Sequence, residues 1–237
     1  MMSVCRAAVR TAVRSTRSRS WGFFEAGGAY AGNWAAVPAC SRRPWQQCRH
    51  LSFSYPGPRK LSEITNLPLL EKEEPAIVSD IWRQFHDARK DAIGATLSGA
   101  ELQELLKRAK ESPMFIFPVH RGADGGYFML LCQFQGSHFL LTFLDDYRTN
   151  PSGAQPYMSV SLFSDLAESK GVGLVRADVT AQLSRAEGVR VLDLMQRYYI
   201  GSEELYGMVR AFNHAPAEFN FEVYMSTVPA PDAPPAQ

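Results

Sequence analysis

Long apolar runs are missing from this sequence. A helix that crosses a bilayer needs about 20 consecutive apolar residues. The longest candidate, Tyr127 to Leu144, is interrupted by Gln133, Gln135, Gly136, Ser137 and His138, so no membrane span is expected. Cysteine is scarce as well. Cys5, Cys40 and Cys48 lie within the first fifty residues, which leaves Cys132 alone in the rest. One thiol cannot close an internal disulfide, and no cysteine or histidine cluster has metal-ligand spacing. The body of the chain therefore reads as a protein of a reducing compartment. Acid is nearly absent from one end: residues 1–50 hold eight arginines, no lysine and the single acid Glu25, a net charge of +7. The remainder carries 17 basic and 23 acidic residues, a net of −6. An acidic body lacks the basic stripe that a phosphate backbone requires, so nucleic acid is not an expected partner.

Catalytic signatures are missing too. Gly171-Val172-Gly173 lacks the third glycine of a dinucleotide loop and reads as a turn entering a strand. No two histidines have the i, i+4 spacing that places both imidazoles on one metal. His86 falls one step off the apolar stripe of a helix, where a solvated or half-buried role is the default; His138 opens a strand, and His120 and His214 sit in turn-like stretches. Asp145 and Asp146 are adjacent, and neighbours on a strand point to opposite faces, so they do not converge. No nucleophile elbow organises a serine, and Cys132 lies in an apolar strand, where a thiol is inert. No catalytic, cofactor-binding or metal-ligating residue is assigned.

What is present begins with the leader. Arg6, Arg10 and Arg14 recur at i, i+4, i+8, with Val9 and Val13 beside them and Ser and Thr frequent around them. That is the composition of an organelle transit peptide, mitochondrial or plastid. Arg49-His50-Leu51-Ser52-Phe53-Ser54 resembles the two-step matrix processing pattern, with a first cut between His50 and Leu51 and an octapeptide then removed at Pro58. The expected organisation is a transit peptide over residues 1–58, a strap over 59–74, one domain over 75–228 and a proline-rich tail over 229–237. The leader implies contact with the import and processing machinery and a location in the mitochondrial matrix.

In the strap, Pro68 prevents one continuous helix. A helix is predicted from Pro75, with Ile77, Ile81, Phe85 and Ala88 on its inward face and Val78 and Trp82 flanking. Ser98 and Glu101 form a capping box that opens a second helix, with Leu102, Leu105, Leu106 and Ala109 inward. Strands are predicted at Ile93–Leu97, Met114–Val119, Tyr127–Phe134, His138–Leu144, Tyr157–Phe163 and Val172–Val179. Tyr157–Phe163 alternates, which predicts Ser159 and Ser161 on a solvated face. A second capping box, Ser184 with Glu187, opens a helix that Gly201 stops, and another helix starts at Ser202 with Leu205, Met208, Val209 and Phe212 in period. Glu218–Met225 alternates and predicts a last strand. The fold class is α+β: an antiparallel or mixed sheet of six to seven strands with helices packed on it.

Several fragments form an ordered set: Leu61-Ser62-Glu63-Ile64, Ile81-Trp82 with Phe85, Ser112-Pro113 with Phe115, Gly126-Tyr127 with Gln133-Phe134, Lys170-Gly171-Val172, and Tyr206-Gly207 with Val209, Phe212-Asn213 and Phe219. The set resembles the mitochondrial ATP synthase F1 complex assembly factor 1 family, chaperones of the catalytic beta subunit. The resemblance spans roughly residues 61–226, and Leu144 to Ser169 depart from the pattern. It implies a matrix protein without catalysis that holds the unassembled beta subunit until the alpha/beta hexamer forms. An orphan subunit exposes an apolar interface that aggregates unless covered. Candidate contact residues are Leu67, Leu69 and Leu70 of the strap, with Trp82, Tyr206 and Phe212 of the helices; burial in a strap or a core is the competing role for each. Two other functions remain open at this point: a small enzyme using His120, Arg121 and Asp124, and a structural adaptor of a matrix complex.

Overall fold

A computed structural model describes residues 57–121 and 126–230. The leader with His50 and Leu51, the turn at 122–125 and the tail from 231 lie outside the described residues. Pro58 is described, as exposed irregular backbone.

Six strands form one antiparallel sheet in the order β1-β6-β5-β4-β3-β2: β1 (Ala92–Ser98), β2 (Met114–Arg121), β3 (Gly126–Gln135), β4 (His138–Phe143), β5 (Pro156–Phe163) and β6 (Val172–Val179). The α+β class holds, with the sheet antiparallel throughout the described residues. Gly136, at φ 70°, makes the tight turn between β3 and β4 that a side chain would strain.

Register assigns the strand residues to two faces. Phe115 opposes Cys132, Cys132 opposes Leu141 and Leu141 opposes Met158, so these four share one face. That face carries the main core, where Phe115, Phe117, Phe139, Tyr198, Tyr199 and Tyr224 are fully buried. Three long helices cover it: α4 (Gly99–Glu111), α7 (Arg185–Tyr199) and α8 (Glu203–His214). Both predicted capping boxes are formed. Ser98 Oγ accepts from Glu101 N–H while Ser98 N–H donates to the Glu101 carboxylate, and Ser184 with Glu187 repeats the pattern. Each box satisfies two orphan donors of a helix start.

A smaller cluster lies on the other face. The strap forms two one-turn helices, α1 (Leu61–Ile64) and α2 (Leu67–Leu70), interrupted near Pro68. Leu61 and Leu70 join Val78, Trp82, Phe163, Leu166, Val172 and Leu174 in this cluster. Helix α3 (Pro75–Asp87) contributes Val78 and Trp82. The Trp82 indole N–H donates to Val175 O at 3.0 Å, and its ring meets Phe163 edge-on at 6.0 Å. Three short helices complete the described residues: α5 (Leu144–Thr149), α6 (Ala167–Lys170) and α9 (Phe221–Thr227).

Five local expectations are corrected. The inward face of α3 is Val78, Trp82 and His86, while Ile77, Ile81 and Phe85 turn outward. His86 is fully buried rather than solvated. Its imidazole fills the space above Gly94, where no Cβ competes with it. Ser159 and Ser161 are buried, because β5 is an interior strand and Arg176 and Asp178 of β6 lie directly opposite them. His120 belongs to β2 rather than to a turn. The last predicted strand is helix α9: Asn220 Oδ1 caps it, accepting from Glu222 and Val223 N–H, and Tyr224 enters the core. Phe221, Tyr224, Met225 and Val228 also fit the helical period, so alternation alone was ambiguous there.

Candidate interaction surface

Several reactive groups of the described residues are engaged in packing, hydrogen bonds or ion pairs. No group of three or more His, Cys, Asp or Glu there is placed to hold a metal ion, and no helix there is long and apolar enough to cross a membrane. Burial pushes the Cys132 thiol well up, away from the reactive thiolate. Arg121 is committed to structure: it pairs with Glu187 at 2.6 Å, donates to Gln182 O and lies over the Phe128 ring. His120 packs beside Tyr127 at a ring separation of 5.8 Å, and Asp124 lies outside the described residues. Asp145 and Asp146 are exposed in the first turn of α5, where carboxylates complement the helix dipole.

The six proposed contact residues separate by burial. Trp82, Tyr206 and Leu70 are inside the protein, so each holds elements together. Tyr206 stacks under the Arg108 guanidinium at 4.5 Å, and its hydroxyl lies among Ser112, Glu111 and Arg108 O. Phe212 is half-buried against the rings of Phe115 and Phe219. Leu67 is half-buried against the smaller cluster. Leu69 alone of the six is widely open, at 58% exposure.

Sequence reasoning assigned the most prominent apolar surface to the interior. Ile77, Ile81 and Phe85 stand at i, i+4, i+8 and are 44%, 41% and 38% exposed. Such spacing aligns side chains in one row along a helix. The Arg89 guanidinium sits over the Phe85 ring at 4.5 Å and borders the row with a cation. The row is held rigidly from below. Trp82 and Val78 anchor the middle of α3, and Arg185 of α7 fixes its C-terminal end. Arg185 donates to His86 O, Arg89 O and Ala92 O and pairs with Asp87 at 2.8 Å. Of these carbonyls, His86 O belongs to the last turn of α3, where a cation also meets the negative pole of the helix. An apolar stripe of this kind on a well-anchored helix is a candidate docking surface.

Residues 38–225 match the profile described as "ATP11 protein". The chain belongs to the ATP11 protein family. The chain is also similar to curated proteins of vertebrates and yeast. The human "ATP synthase mitochondrial F1 complex assembly factor 1" is 27% identical over 172 residues, covering 72% of this chain and 51% of that protein. The Danio rerio protein of the same name is 24% identical over 163 residues, covering 68% and 53%. "Protein atp11, mitochondrial" of Schizosaccharomyces pombe is 30% identical over 139 residues, covering 56% and 48%. The chain thus spans about half the length of the curated relatives it matches. The ATP11 match includes the whole α3 helix and every strand of the sheet.

Proposed function

We propose that this protein is an assembly factor for the F1 sector of mitochondrial ATP synthase. In this reading it binds the unassembled beta subunit in the matrix, keeps it from aggregating and releases it as the alpha/beta hexamer forms. It acts by covering surface and transforms no molecule. Membership of the ATP11 family supports the F1 assembly role, and the exposed row Ile77-Ile81-Phe85 supplies the surface such a role needs. A beta subunit without its alpha neighbours presents apolar interface to water, and apolar area is stabilised by removal from water at about 25 cal/mol per Å². Leu69 and the half-buried Leu67 extend the apolar surface available to a client. The basic leader, with its processing pattern ending at Pro58, agrees with import into mitochondria.

The test uses the full chain and purified beta subunit diluted from denaturant. The expected result is suppressed light scattering and co-elution of the two proteins. Ile77→Ser/Ile81→Ser/Phe85→Ser should lower capture about tenfold or more while changing stability by only about 0.5 kcal/mol per exposed site. Undiminished capture by the folded triple variant removes the row from the proposal. Absence of capture by the wild-type chain overturns the beta-subunit reading, and persistence of the chain in finished ATP synthase would make it a structural adaptor.

A further inference from the structure

The two edges of the sheet are closed unequally. Along β2 the hydrogen-bonding groups that face away from β3 belong to the even-numbered residues, since Phe134 N–H donates to Pro113 O and fixes the parity. Both groups of Met114 and the carbonyl of Ile116 are occupied, and Ile116 and Pro118 are themselves buried. Asn213 of α8 accepts from Met114 N–H and donates to Met114 O, at 3.0 and 2.6 Å. Tyr224 of α9 donates to Ile116 O at 2.6 Å. Pro118 has no N–H to offer. An edge treated in this way cannot template another strand.

At β1 the parity is set by two bonds to the β6 side, Val179 N–H to Asp91 O and Gly99 N–H to Gly171 O. Odd-numbered residues therefore pair with β6, and Ala92, Gly94, Thr96 and Ser98 point their backbone groups outward. The ends of this row are taken: Ala92 O accepts from Arg185, and Ser98 N–H is held in its capping box by Glu101. Between them, the N–H and C=O of Gly94 and of Thr96 meet no partner among the described residues. Both residues and Ala95 between them are only part-buried. Their side-chain face is fixed from above by α3, where His86 sits on Gly94 and Arg83 donates to Thr96 Oγ1 at 3.2 Å. The open window is thus held in strand geometry and cannot turn inward to satisfy itself.

We propose that the Gly94–Thr96 edge of β1 is a strand-addition site, which takes an extended backbone segment of the unassembled F1 client in the manner of a seventh strand. The inference rests on the assembly-factor reading above. Two donors and two acceptors alternating along one edge are complementary to an extended peptide and to little else. Affinity then comes from the main chain, which tolerates varied side chains in a client segment. The occupant is a strand that loses its own neighbours when the client is unassembled.

Residue-resolved amide exchange of the full chain, free and with purified beta subunit, tests this directly. Gly94 and Thr96 amides should slow by about tenfold or more in the complex, while Ala95 and Leu97, already bonded to β6, serve as internal references. Thr96→Pro removes one outward N–H and no bond to β6, so it should weaken capture about tenfold or more; Thr96→Val keeps the N–H and should capture normally. Capture with unchanged exchange at Gly94 and Thr96 overturns strand addition and leaves the assembly reading standing. Equal capture by a folded Thr96→Pro chain does the same. Failure of the wild-type chain to capture beta subunit overturns both.

Discussion

The imidazole of His86 rests directly on Gly94: a Cβ built at Gly94 would lie 2.7 Å from Nδ1 and 2.9 Å from the histidine Cβ. This contact sets the height of α3 above β1 and leaves room for Trp82 to reach Val175 O. The same ring donates from Nδ1 to Trp82 O at 2.8 Å, and its Nε2 is buried with no partner among the described residues.

Gly94→Ala should accordingly lift α3 and cost about 1–3 kcal/mol through overpacking. His86→Ala alone leaves a cavity and is also destabilising. The double variant should cost less than the sum of the two, because each change relieves the other's defect. Chemical denaturation of the four chains measures this coupling, and strict additivity would show that the two side chains do not share the space.

Stability should fall as the solution is acidified below neutrality. Burial lowers the pKa of His86 from its ordinary 6.5, and the Arg176 and Arg89 cations act in the same direction against the Trp82 carbonyl and Asp178. Burial lowers His120 and His138 likewise. A histidine whose folded pKa is depressed binds more protons when unfolded. Its contribution is complete above about 6.5 and is lost as pH falls below that value toward the folded pKa. Replacing His86 with Gln should flatten the pH dependence in denaturant titrations between about pH 7 and 5; an unchanged slope would show that His86 does not carry it.

Asn213 closes the β2 edge with one side chain, bonding both backbone groups of Met114 and also donating to Val209 O at 2.8 Å. Asn213→Leu has similar volume but no polar atoms. It should destabilise by about 1–3 kcal/mol and expose strand groups that promote self-association. Thermal unfolding and light scattering together measure both effects. A stable, monodisperse variant would show that the edge is protected by other means.

Sequence alone determined what depends on near neighbours. The capping boxes of α4 and α7 were legible because donor and acceptor stand three residues apart, and the strand runs because their apolar content and turn residues are local. The ordered fragments that resemble the F1 assembly factor family are local as well, and that resemblance agrees with the ATP11 family match. Tertiary structure alone decided which side of α3 faces inward. Ile77-Ile81-Phe85 and Val78-Trp82-His86 are rows one residue apart, and helical period cannot rank them. The choice was made by the partner surface: Gly94 gives His86 its space and Val175 O gives Trp82 its acceptor. Distance in sequence also hid the fate of the last segment. Tyr224 bonds a strand residue 108 positions earlier, and burial of that ring, together with the Asn220 cap, selects a helix where local alternation suggested a strand. The outward row that a client would meet is thus a consequence of long-range packing, which no local pattern encodes.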